Sequence, residues 1–142
     1  MAIATRTLKD TSLQASGGAQ GGKVTILVNF DDNTTANSTI LDASGLAGHA
    51  NGAKLDITRI WWSLVQGTAD DNTGHVQLQF VGASSDTIAL QLAGTGHYDG
   101  TAGKIENNAT NTTATSGDLE LTALGTSGHV IIELRKDEAF TA

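Results

Sequence analysis

Residues 74–94 read GHVQLQFVGASSDTIALQLAG. Val76, Leu78 and Phe80 alternate with Gln77 and Gln79. After a small polar stretch, Gly82 to Asp86, Ile88, Leu90 and Leu92 alternate with Ala89 and Gln91. Apolar side chains at period two belong on one face of a strand. Two such runs joined by a Gly/Ser/Asp loop predict a hairpin with one face buried and one wet.

The same rhythm recurs outward from this hairpin. Residues 23–30, KVTILVNF, place Val24, Ile26, Val28 and Phe30 on one face, with Leu27 intruding on the other. Residues 54–66, KLDITRIWWSLVQ, carry Leu55 and Ile57 on one parity and Ile60, Trp62 and Leu64 on the other. That switch near Arg59 predicts a bulge or a strand buried on both faces. Residues 118–124 and 129–135 predict a closing hairpin through Gly125–Gly128, with Glu120 and Glu133 outward. Residues 31–38 and 107–117 read as polar loops, 39–42 as a short strand, 43–52 as a loop or one helical turn, and 96–106 as a broken strand.

About eight short strands, polar loops and no confident helix predict an all-β fold: an antiparallel β-sandwich of jelly-roll type, with a small β-barrel as the alternative. The length of 142 residues fits one domain, 1–142, with 1–22 as an N-terminal arm or edge strand and 136–142 as a frayed tail. Gly is abundant at 17 and Thr more so, which suits turns and pleated sheet, while Pro is absent and cannot guard a sheet edge.

Composition narrows the function classes. There is no cysteine, so disulfides and thiolate metal sites are excluded. The start, MAIATRTLKD, has no basic-then-apolar signal pattern, and no apolar run approaches the roughly 18 residues that cross a bilayer. These features predict a soluble chain made in a cytoplasm. The net charge is −7 and the eight Lys and Arg are scattered along the sequence, which argues against nucleic acid and anionic membrane as partners.

Candidate chemistry is sparse. His49, His75, His97 and His129 each sit beside glycine, in loops or at strand starts, without a second ligand at metal spacing, and read as solvent-exposed histidines of turns and strand ends. Asp31-Asp32-Asn33 and Asp70-Asp71-Asn72 offer oxygen ligands for calcium but lack EF-hand spacing; Asp and Asn also build turns on their own. No GxSxG is present, and nothing in the spacing pairs Glu106, Glu120, Glu133 or Glu138 on one cleft. The N-x-S/T triplets at Asn33, Asn37, Asn108 and Asn111 read as by-products of Thr- and Asn-rich loops. The expectation is therefore a non-enzyme without metal or other cofactor. Trp61 and Trp62 are adjacent and must point to opposite faces of a strand, so one meets something other than the core.

The opening MA-x-ATRTLKD, the mid-chain KLDITRIWWSL, the strand VQLQF with its partner DTIALQL, and the closing GHVIIELRK resemble a group of small virion proteins of tailed bacteriophages. In that group they look like capsid decoration (cement) proteins or related head-associated proteins. The resemblance implies a structural protein on the capsid exterior that binds the major capsid protein and stabilises the expanded shell. It also implies self-association, with a trimer favoured because local threefold positions are common decoration sites. On that basis the expected contact residues are Thr5, Arg6, Leu8 and Leu13 of the arm, with Trp61 or Trp62 in a subunit seam. A second reading is a carbohydrate- or receptor-binding module of a tail fibre or spike, using one Trp with Asp31, Asn33, Asp70 or Asn72. A third is a minor head–tail structural protein.

Overall fold

The computed structural model describes residues 2–11, 22–47, 49–66, 74–82, 86–107 and 118–140. Among them are seven strands: β1 (Ala2–Asp10), β2 (Lys23–Leu41), β3 (His49–Gln66), β4 (His75–Phe80), β5 (Thr87–Leu92), β6 (Thr95–Tyr98) and β7 (Leu119–Phe140). Every pairing is antiparallel, and one 3-10 turn, Ala43–Gly45, precedes β3. The all-β class expected from the alternation is the class observed.

The long strands β2 and β7 organise the molecule. Their first hydrogen-bonded stretch, Lys23–Phe30 against Gly128–Arg135, lies in a five-stranded half with order β1-β2-β7-β3-β6. Their second stretch, Asn33–Leu41 against Leu119–Thr126, continues into β4 and β5. Gly125 (φ 52) and Gly128 (φ 124) lie where β7 passes from one half to the other. These left-handed positions favour glycine. They mark a corner within β7 instead of the chain reversal predicted there, so the expected closing hairpin is one long strand.

The expected loop at 31–38 is likewise strand. Side-chain bonds bridge its register shifts: the Gly125 amide donates to Thr34 Oγ1 at 2.9 Å and the Asn37 amide to Thr122 Oγ1 at 3.2 Å. Threonine hydroxyls therefore replace the ladder where the pairing slips.

Inward side chains of both halves form one core. Val24, Ile26, Val28, Ile57, Ile60, Val76, Leu78, Phe80, Leu121, Ile132 and Leu134 are all at most 1% exposed. Each such large side chain contributes roughly 1.5–3 kcal/mol of burial. In the 74–94 hairpin the pattern holds on β4 and slips on β5. A register shift between Leu78 and Gln79 pairs Gln79 with Ile88, and Ile88 is 55% exposed instead of facing inward with Leu92.

Both ends of the chain are strand where described. Ala2–Asp10 pairs along β2 as an edge strand, with Ala4 to Asp10 exposed. Residues 136–140, expected to fray, continue β7, and Lys136 is completely buried. Glu120, expected outward and wet, is only 8% exposed.

Candidate docking face

The Thr58 bulge sets the geometry of β3. The register shift between Ile57 and Arg59 lets Ile57 and Ile60 both point inward, which sends Arg59, Trp61, Ser63 and Val65 outward. The Thr58 hydroxyl sits 3.0 Å from Glu133 Oε1 and 3.1 Å from the Glu133 carbonyl oxygen, tying the bulge to β7.

The two tryptophans separate as the strand period requires. Trp62 packs against the core and donates its indole N–H to the Ala93 carbonyl at 3.0 Å. Its ring covers Gly96, where an added Cβ would lie 2.6 Å from the ring. Trp61 is outward and 37% exposed.

Direct cross-strand pairing places five outward residues in one row: His97, Trp61, Ile131, Leu27 and Arg6. The row crosses the whole five-stranded half. Leu27 and Ile131 are half-buried, and Arg6 and His97 are exposed. Side chains opposite one another in an antiparallel pair touch, so the three apolar members form a continuous stripe.

Cations flank this stripe. Lys9, Lys23, Arg59 and Arg135 project from the same face, and Lys104 reaches over it to Asp56 at 2.8 Å. Together with Arg6 these are six of the chain's eight Lys and Arg. The scattered spacing in the sequence is thus gathered by the fold. Among the described residues, Arg6, Lys9 and Arg135 enter no ion pair. Glu133 lies amid the cations, 3.7 Å from Lys23 Nζ and 3.9 Å from Arg59 Nε. An open cleft of about 210 Å³ sits here, lined by Thr58, Arg59, Asp99, Gly100 and Glu133 among others. The Thr101 hydroxyl and amide hold the Asp99 carboxyl below its usual range.

Of the six residues expected at an interface, Arg6 and Trp61 share this face, roughly 14 Å apart at three strand spacings. Thr5 pairs with Val28 and Trp62 with Val130, on the opposite side of the sheet. Leu8 is 50% exposed at the bulge between Thr7 and Lys9. Leu13 lies outside the described residues, as do Asp70, Asp71 and Asn72; of Asn33 only the backbone pairing is described. His75 opens β4, as expected of a histidine at a strand start, while His97 and His129 lie within β6 and β7.

Sequence reasoning passed over Leu27, Ile131, His97, Lys23, Arg59, Lys104 and Arg135 as contact residues. One signal was present: Leu27, Trp61 and Ile131 each break the alternation of a core strand.

The other half carries an acidic group at the start of β7. Glu120 pairs across β4 with Gln79, and its Oε1 has no hydrogen-bond partner. Burial, then a hydrogen bond with Asp86, then the charges of Asp86 and Asp118 raise its pKa to about 7. Among the described residues no three His, Cys, Asp or Glu side chains are grouped to hold a metal ion. No described helix is long and apolar enough to cross a membrane.

No family model matches the chain, and no curated protein or solved structure is similar to it.

Proposed function

We propose that this chain is a structural virion protein that seats on the outer surface of a tailed-phage capsid, binds the major capsid protein and stabilises the expanded shell. The observation that carries the reading is Trp61, outward in an apolar row on a sheet face flanked by cations. An exposed apolar row of this kind fits another protein better than a small substrate, and the cleft beside it is lined mainly by charged side chains instead of the mostly apolar walls of a small-molecule pocket. The sequence resemblance to decoration proteins points the same way.

The mechanism is mechanical and needs no turnover. Each copy bridges neighbouring shell subunits and binds the expanded arrangement better than the dissociated one. That differential binding shifts the equilibrium toward the intact shell by mass action. Contacts that are individually modest become effective when many copies are held in fixed geometry.

The test is removal. Heads assembled without this chain are expected to rupture at lower temperature or lower osmotic shock, and to regain stability when purified protein is added. Quantitative mass spectrometry of intact virions is expected to give hundreds of copies. A dozen copies or fewer would instead indicate a head–tail component. Glycan-array binding that disappears in Trp61→Ala would indicate a carbohydrate-binding module.

A further inference from the structure

Resting on that reading, we infer that the outer face of the β1-β2-β7-β3-β6 half is the surface that docks, and that its partner presents an acidic protein surface with an apolar centre.

The chain is acidic overall at −7, yet six of its eight Lys and Arg lie on this one face. Arg6, Lys9 and Arg135 have no carboxylate partner among the described residues. Unpaired cations gathered on one side of an acidic protein orient it toward a negative surface and speed encounter. The apolar stripe adds what charge alone does not supply. Trp61, Ile131 and Leu27 form its centre, with Arg6 at one end, and Trp and Arg are the residues that most often carry binding energy.

The size is adequate. Five strands at about 4.8 Å and the eight residues of β2 from Lys23 to Phe30 at about 3.4 Å give a face on the order of 600 Å². A standard protein interface covers about 600–1,000 Å² on each partner, so this face reaches the lower end of that range.

Two other occupants fit less well. Nucleic acid, read mainly through its phosphates, offers no apolar surface to cover the row Trp61, Ile131 and Leu27, and Glu133 interrupts the cations along it. Two copies meeting face to face would set one cation-bearing face against another, and the exposed Arg6 and Lys9 on the β1 edge discourage pairing along it.

The experiment uses expanded heads lacking this chain, the purified full chain, and the variants R6E/R135E, W61A and I88S. Ile88 is exposed on the other half and serves as control. Circular dichroism and melting curves establish that each variant is folded. R6E/R135E and W61A are each expected to weaken head binding at least tenfold, with the salt dependence flattened in R6E/R135E, while I88S stays within twofold. Carbodiimide treatment of the wild-type complex is expected to link Lys9 and Lys23 to shell carboxylates, a readout that needs no variant.

Head binding that is indifferent to R6E/R135E and W61A, or crosslinks confined to other residues, overturns the inference and leaves the proposed function standing. Wild-type protein that does not bind heads overturns both. Binding of a 20-base-pair duplex at 150 mM salt that is lost in R6E/R135E overturns the inference in favour of nucleic acid. An oligomer that R6E/R135E converts to monomer in sedimentation equilibrium overturns it in favour of a subunit seam.

Discussion

Lys136 and Asp10, 126 residues apart in the chain, form a closed ion pair, with Nζ 2.5 Å from Oδ1 and the lysine side chain wholly excluded from solvent. The same ammonium donates to the Ala47 carbonyl at 2.8 Å, and Asp10 Oδ2 accepts from the Ala47 amide at 2.9 Å. The pair therefore joins the end of β1, the approach to β3 and the end of β7. A buried ammonium is tolerated only when paired and hydrogen-bonded, and this one is both.

Removing one partner leaves the other uncompensated. Lys136→Met is expected to lower stability by about 3 kcal/mol, read in urea unfolding. Asp10 is 24% exposed and can rehydrate, so Lys136→Met with Asp10→Asn is expected to recover part of the loss. Equal stability of Lys136→Met and wild type would show that the pair does not hold β1.

Glu120 links stability to pH. Its carboxyl titrates near 7 in the folded protein against 4.5 in the reference state. Below pH 4.5 both states are protonated and the group costs nothing. As pH rises to 7 the unfolded chain releases its proton first, so stability falls through that window and stays lowered above it. Melting temperature is therefore expected to drop less between pH 5 and pH 8 in Glu120→Gln than in wild type. Parallel curves would place the titration elsewhere.

Gly128 leaves no room for a side chain. An added Cβ would lie 2.0 Å from the Ser63 carbonyl oxygen, at a φ of 124. Gly128→Ala is expected to cost about 2 kcal/mol or more through strain and lost β3–β7 pairing. Gly45→Ala, with open space around the site, is expected to stay within about 0.5 kcal/mol. Calorimetry of the two variants side by side checks the contrast.

The adjacent tryptophans separate stability from surface. Trp62→Ala is expected to cost about 2–3 kcal/mol through lost packing and the lost bond to Ala93. Trp61→Ala is expected to cost less than about 1 kcal/mol. Acrylamide is expected to quench the fluorescence of Trp62→Ala, which retains Trp61, more than that of Trp61→Ala. The reverse order would exchange their roles.

Much of the fold was legible because burial at period two is a local property. Val24 to Phe30, Val76 to Phe80 and Val130 to Leu134 announce their inward faces without reference to any partner. The bulge at Thr58 was legible as a switch of parity. What misled was glycine and threonine chemistry. Gly125 and Gly128 signal positive φ, which serves a corner in a continuous strand as well as it serves a reversal, and Thr34 and Thr122 sustain a strand through a stretch that reads as loop.

The docking face was legible only in fragments. Leu27, Trp61 and Ile131 each stood out as apolar residues on the wrong parity, but their alignment in one row depends on the register between β2, β7 and β3. Arg135 and Lys136 make the point most sharply. They are neighbours of like charge in the chain, yet one projects from the basic face and the other is sealed against Asp10.

The amino-acid order by itself determined that the chain is all-β and which side of its core strands avoids water, because alternation of side chains is set within a few residues. The tertiary structure alone decided which outward residues stand together and which charges remain unpaired. Those properties belong to pairings between segments up to 126 residues apart, and no local pattern encodes them.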